Sequence, residues 1–219
     1  LRLSTGMVVR YDRDMSDMQP SADADFLIPA PLEALSIDFA NTRYWRGSAT
    51  PTETLGTVDD LLAWCREQAG VPAALADACR ASIADAGPAW LDGALVLRET
   101  LYRLYLAQAE QREPLARDVA ALRGHLAQAA PRVALVRTND RYAWQVGHEA
   151  ATLGGLLSPV LWSAIDLLGG TRLAKVKRCA NDACQWLFVD DSKNGSRRWC
   201  SMASCGNRAK AHRHYYKAD

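Results

Sequence analysis

The sequence predicts a mainly α fold with a small β-hairpin, followed by a compact C-terminal module organised around four cysteines. Three observations carry this reading. Helical periodicity, punctuated by Pro and Gly, fills most of residues 31–129 and returns at 156–168. Between 131 and 146 the apolar residues alternate instead, the period of a strand. Cys179, Cys184, Cys200 and Cys205, four of the six cysteines, form two C-x4-C pairs separated by fifteen residues.

Length and composition agree. A chain of 219 residues, 49% hydrophobic and 23% charged, can bury a core and form one to two domains. That composition excludes a disordered chain, a collagen and a small disulfide scaffold. No stretch reaches the roughly 18 uninterrupted apolar residues of a membrane span. The nearest, around Leu153–Leu168, is broken by Gly154, Gly155, Ser158, Pro159, Ser163 and Asp166. Leu1–Gln19 is threaded with Arg and Asp and carries no legible secretory signal, so a cytoplasmic protein without a membrane partner is expected.

Residues 1–30 lack a helical period and read as an arm, with a short strand expected at Met7–Tyr11. From Pro31 to Trp45, Leu32, Leu35 and Phe39 suit one helical face, although Leu35, Ile37 and Phe39 also alternate; helix is the favoured reading. Arg46–Leu55 reads as a loop from its Gly, Ser, Thr and Pro content. Thr57 is a good N-cap, with Asp59 and Asp60 placed to meet the helix dipole, and Gly70 closes that helix. Pro72 starts another helix to about Ala84, which Gly87-Pro88 breaks. A long helix follows from about Pro88 to Glu110, with Leu91, Leu95, Leu101, Leu104 and Tyr105 largely on one side. Pro114–Ala129 is one more, carrying Leu115, Val119, Leu122 and Leu126. Val133 and Leu135, then Tyr142, Trp144 and Val146, flank Thr-Asn-Asp-Arg and predict a hairpin. Leu156–Leu168 is the last apolar helix of the body, ended by Gly169-Gly170. The expected division is therefore 1–30, 31–170 and 171–219.

Charge divides the chain at the same place. From Arg172 to Asp219 there are eleven Lys/Arg against four Asp, or +7, so the rest of the chain, with a whole-chain net of +1, carries −6. A basic module on an acidic body points to a polyanionic partner.

Within the module, Asn and Asp between Cys179 and Cys184 make a turn that aims both sulfurs at one point. Asp190–Gly195 is a second turn. Ser201 is placed to cap a helix from about Met202 to Lys217, roughly 24 Å long. Knuckle, hairpin and a helix bearing the last ligand pair is a treble-clef-like layout. Four thiolates at about 2.3 Å close a tetrahedron around zinc and leave no open position for water. About 48 residues bury too little alone, and bound metal supplies the missing folding energy. The same spacing also admits an iron centre, a redox-switching disulfide or four free core cysteines, and His212 or His214 could replace a ligand. Gly206 is expected to relieve crowding near the metal.

On that helix, Met202, Cys205, Ala209 and Tyr216 share a face expected to lie on the hairpin. Arg197, Arg198, Arg208, Lys210, Arg213, His214 and Lys217 are the candidate nucleic-acid contacts. Zinc with four thiolates carries −2, which leaves the module near +5, still suited to DNA. The other readings of these cations are a protein-docking face and a solvated surface.

Several residues resemble a known family. Cys179-x4-Cys184, Trp186, Phe188, Asp190 or Asp191, Ser192, Arg197–Met202 and Cys205-Gly-Asn-Arg-Ala-Lys210 are similar to the CGNR zinc finger. Asp38-Phe-x-Asn-Thr42, with Leu62-x-Trp64, resembles the start of the ABATE domain that precedes that finger in bacterial proteins. The resemblance spans the chain from about residue 30. It implies a bacterial, stress-induced transcription regulator.

Enzymatic activity is not expected. There is no phosphate-binding glycine loop, no strand–Ser elbow and no His-Glu-x-x-His. Asp38, Asn41, Thr42 and Arg43 beside Phe39, Tyr44 and Trp45 read either as a pocket or as a hydrogen-bonding network at a helix end. His125 and His148 read as structural or exposed. The helical body is large enough to sense a small-molecule effector or to form a homodimer. The alternative function is a zinc-stabilised protein-interaction module.

Overall fold

Most helices of the body start where the sequence supplies a cap or a proline. The computed structural model describes residues 26–31, 34–83, 87–132, 134–138 and 141–210; the strand expected at Met7–Tyr11 lies outside them. Helix α1 (Leu35–Ala40) begins as Ile37 and Asp38 donate their backbone N–H groups to Ala34 O. Helix α2 (Val58–Glu67) opens on a capping box: Asp60 N–H donates to Thr57 Oγ1 at 3.1 Å, and Thr57 N–H donates to Asp60 Oδ2 at 2.8 Å. Helices α3 (Ala73–Ile83), α4 (Gly87–Ala109) and α5 (Ala116–Leu126) follow in the predicted order.

The α5 stripe differs from expectation. Leu122 is buried, but Leu115 and Val119 are exposed, because this helix meets the body chiefly along its contact with α4. The last apolar helix of the body is two helices, α6 (Leu153–Leu156) and α7 (Ser158–Leu168). Thr152 caps α6 by accepting from Gly155 N–H, and Pro159 restarts the chain in the first turn of α7.

Two β features were read otherwise. The end of the N-terminal arm is strand β1 (Phe26–Pro29), which pairs with the outer side of the predicted hairpin. The hairpin itself is β4 (Ala134–Arg137) and β5 (Tyr142–Val146), so the sheet has three antiparallel strands in the order β1-β5-β4. Phe26 and Ile28 point inward while Leu27 is exposed, a strand alternation only two apolar residues deep. The segment read as a loop between Arg46 and Leu55 folds back on α1's exit: β2 (Arg43–Tyr44) pairs with β3 (Thr52–Glu53).

Helix α4 is the spine, in contact with α1, α2, α5 and α6. Its own Leu97 and Leu101 and, around it, Phe39, Leu61, Leu75, Leu156 and Leu161 are all buried. A hydroxyl chain crosses this core: Tyr105 Oη donates to Ser36 Oγ at 2.7 Å, and Ser163 Oγ lies 3.2 Å further on. It fixes α1 between α4 and α7 while leaving no hydroxyl of the three unpartnered.

The C-terminal module grows from the same core. A short 3-10 turn (Thr171–Lys175) leads into strand β6 (Val176–Arg178), paired antiparallel with β7 (Leu187–Val189). Val176 and Leu187 are buried in the body's hydrophobic cluster, and both strands touch α4.

Candidate metal centre and nucleic-acid face

The knuckle between β6 and β7 is built from backbone bonds. Cys179 N–H donates to Trp186 O at 2.7 Å, and Asn181 O accepts from both Cys184 N–H and Gln185 N–H. Asn181 Oδ1 also accepts from Ala183 N–H, which tightens the turn. Beyond β7, the buried Asp190 carboxylate organises the next loop. It accepts from Lys177 Nζ at 2.6 Å, from the N–H and hydroxyl of Ser192, and from Arg197 N–H at 3.0 Å. Those partners hold its carboxyl far below the usual carboxylate range, Lys177 foremost. Ala180 N–H then donates to Arg198 O and ties this loop to the knuckle.

The four sulfurs meet as predicted. Cys179, Cys184, Cys200 and Cys205 have their ligand atoms within 4.8 Å of one another, and three of the four residues are buried. Cys184 Sγ lies 3.7 Å from Cys200 Sγ, which lies 3.8 Å from Cys205 Sγ. A tetrahedron with metal–sulfur bonds of about 2.3 Å has edges of about 3.8 Å, so the spacing fits zinc. Two N–H groups support thiolate charge: Cys200 N–H reaches Cys179 Sγ, and Asn181 Nδ2 reaches Cys205 Sγ, each at 3.5 Å.

The protonation balance makes the same point. Burial pushes the Cys184 thiol up to about 12, and burial together with the neighbouring Cys184 and Cys179 raises Cys200 further still. Burial also opposes charge on Cys205, but hydrogen bonds from Cys184, Asn181, Cys179 and Cys200 outweigh it and lower that thiol. Crowded thiols of this kind ionise together only around a cation. Bound zinc would supply charge neutralisation and folding energy, and the four-sulfur set leaves no place on it for reactive water.

The last ligand pair sits on a different turn from the one expected. Met202–Gly206 is a π-type turn continuing helically through residue 210, and the Ser201 hydroxyl makes no capping bond. Instead Gly206 N–H donates to Ser201 O. The wide turn places Cys205 inward with Cys200 while Met202 is exposed, contrary to the shared face expected. The crowding at Gly206 comes from side chains: a Cβ there would meet the end of the exposed Met202 thioether at 2.7 Å, which can swing away, and Trp199 at an ordinary 3.5 Å.

The seven cationic candidates separate. Arg197 is turned back into the module: its Nε donates to Trp199 O at 2.9 Å, its Nη2 to Cys200 O, and its guanidinium lies over the Phe188 ring. Arg198, Arg208 and Lys210 are exposed and, among the described residues, have no carboxylate partner. Arg198 stacks on Trp199 and Arg208 on Trp45, so both guanidinium groups are held in place on aromatic faces. Arg213, His214 and Lys217 lie outside the described residues. Of the module's other cations, Lys177 pairs with Asp190, Arg172 and Lys175 with Asp191, and Arg178 lies 3.9 Å from Glu110, while Lys193 is exposed with no carboxylate partner among the described residues.

The body holds this module by its knuckle. Asn41, in the polar cluster after α1, donates Nδ2 to Leu187 O at 2.9 Å and accepts Leu187 N–H at Oδ1 at 3.0 Å. Tyr102 Oη donates to Gln185 O, and Gly47 N–H to Ala183 O. A Cβ on Gly47 would fall 1.8 Å from Asp182 O, so only glycine permits this approach. At Asn41 and Thr42 the cluster is a hydrogen-bonding network, with Thr42 Oγ1 donating to Phe39 O, while its aromatic neighbours Tyr44 and Trp45 line a small cleft against the finger. The sequence marked Asn41 but offered no sign of its partner 146 residues away.

A helical body closed onto a four-cysteine module that fits zinc defines a zinc-finger protein. Comparison with protein families sharpens this. Residues 33–171 match the ABATE family, described as "Putative stress-induced transcription regulator", and the chain belongs to it. Residues 175–218 match the CGNR zinc finger. No curated protein matches the chain. Among the described residues no helix is long and apolar enough to cross a membrane.

Proposed function

We propose that the protein regulates transcription in the cytoplasm by binding DNA through its zinc finger. One observation carries this reading. On the module Arg198, Arg208 and Lys210, like Lys193, are exposed without acidic partners among the described residues, whereas Arg172, Lys175, Lys177 and Arg178 face carboxylates. Unpaired cations on a zinc-closed scaffold suit phosphates, and a helix with Arg, Lys and Ala at 208–210 can approach a groove. The body holds this face through Asn41, Tyr102 and Gly47, so that, as sensor or dimerisation unit, it would act on the finger through these bonds.

A salt titration with duplex DNA tests the proposal. Affinity should fall steeply with salt, and Arg208→Ala should weaken binding and reduce the slope of log affinity against log salt by about one. Binding that ignores both salt and this substitution would refute it, and would favour a protein-interaction module.

A further inference from the structure

Beside the cationic face, the seam between body and finger holds a small cleft that DNA binding through cations alone does not use. Its walls are Tyr44 and Trp45 from the body and Trp186 from the knuckle. Its floor is the metal cluster, through Cys184, Cys200 and Cys205. The hydroxyls of Ser201 and Ser204 stand at its edge, and neither makes a hydrogen bond among the described residues. The volume is about 190 Å³.

Three features distinguish this cleft from ordinary aromatic packing. Tyr44 meets Trp186 edge to face at 5.2 Å, yet Tyr44 remains exposed and Trp186 half-buried, so their faces are not consumed by one another. Trp45 has φ 54°, and the neighbouring Gln185 φ 56°; both are bulky residues in the left-handed region, on the two sides of the seam. Such backbone is costly and persists where its surroundings impose it, often at binding sites. Finally, Arg208 joins the cleft to the cationic face. Its guanidinium lies 4.6 Å from the Trp45 ring, and it also lines an adjoining groove of about 530 Å³ with Arg198, Trp199 and Asp182.

Size selects the occupant. Sites for whole drug-sized molecules run to roughly 300–1,000 Å³. This cleft is smaller, and it suits one flat ring system whose remainder stays outside. Aromatic walls favour a π-face, and two unengaged hydroxyls suit the polar edge of a heterocycle. The Arg208 cation stacked on the Trp45 wall favours a remainder carrying negative charge. We propose that the cleft takes a single unpaired nucleobase of the DNA whose backbone is held by Arg198 and Arg208. This rests on the DNA-binding reading and deepens it: the preferred target carries an unstacked base, not an uninterrupted duplex.

The experiment compares three duplexes of one sequence with the zinc-loaded full chain: fully paired, bearing one extrahelical 2-aminopurine, and bearing an abasic site in its place. The expected result is about tenfold tighter binding to the 2-aminopurine duplex than to the abasic one, with quenching of the base's fluorescence as it stacks. Tyr44→Ala and, independently, Ser204→Leu, which fills the cleft from its exposed edge, should bring the ratio of those two affinities close to one. Equal affinity for all three duplexes, or a ratio that survives both substitutions, overturns the cleft proposal and leaves the DNA-binding reading standing. Failure to bind any of the three overturns both.

Discussion

Glu99 bears more of the body's charge than any motif suggests. Its two oxygens accept from Arg46 Nη1 at 2.7 Å and from Arg98 Nε at 3.0 Å, while Glu53 takes both terminal nitrogens of Arg98. Arg98 is 3% exposed, so its charge is tolerable only with both carboxylates in place. Arg46 also donates to Ala40 O and lies 3.9 Å over the Tyr102 ring, the ring whose hydroxyl holds the knuckle. Burial works against the Glu99 charge, but Arg46 and Arg98 prevail and hold its carboxyl below the usual range. A carboxyl lowered by folding contributes stability above its unfolded pKa and loses it as pH falls through the folded one. Glu99→Gln should therefore destabilise the protein by about 2 kcal/mol at pH 7. In thermal melts the gap from wild type should hold constant down to about pH 5, begin to narrow below the unfolded glutamate value of about 4.3, and close only once pH has fallen through the lower folded value. A gap independent of pH would mean that Glu99 acts by packing.

At the scale of elements, the loop between β7 and the last cysteines assigns different work to adjacent arginines. Arg197 closes the loop by donating to Trp199 O and Cys200 O; Arg198 stands outward on Trp199. Arg197→Ala should loosen the metal, lowering zinc affinity in chelator competition roughly tenfold, as expected for losing a charged hydrogen bond. Arg198→Ala should retain wild-type zinc affinity. Equal behaviour of the two would contradict this division. The sequence could show two cations side by side but not their directions, since those depend on where the carbonyls of Trp199 and Cys200 end up. Local rules served best where the partner is near in sequence: the Thr57–Asp60 capping box and the C-x4-C pairs were legible for that reason. Strand β1 was not, because Phe26 and Ile28 make sense as a strand only beside Val146 and Trp144. The β2–β3 ribbon was hidden likewise, since four residues show no period. The cysteine cluster was readable from spacing alone; Tyr44 and Trp45, which wall the cleft beside it, stood out in the sequence as apolar neighbours of the Asp38–Arg43 cluster, but nothing local showed that they face a knuckle some 140 residues later.

For the molecule as a whole, metal and body are mechanically continuous. Val176 and Leu187 of the finger hairpin are buried in the cluster that contains Phe39, Leu97 and Leu101, and Asn41 saturates the backbone of Leu187. Removing zinc should therefore lower the melting temperature of the entire chain, by at least about 10 °C if several kcal/mol of metal-linked stability reach the body. Amide exchange should quicken on the α4 surface facing β6 as well as in the finger. A body that melts unchanged after chelation would make the finger an independent appendage. All of this depends on one ion held by sulfur alone, and X-ray absorption at the zinc edge, with metal content measured on the same sample, tests that most directly. The structure predicts one zinc per chain and a shell of four sulfurs at about 2.3 Å. A shell containing nitrogen or oxygen ligands, or a folded chain without zinc, would contradict it.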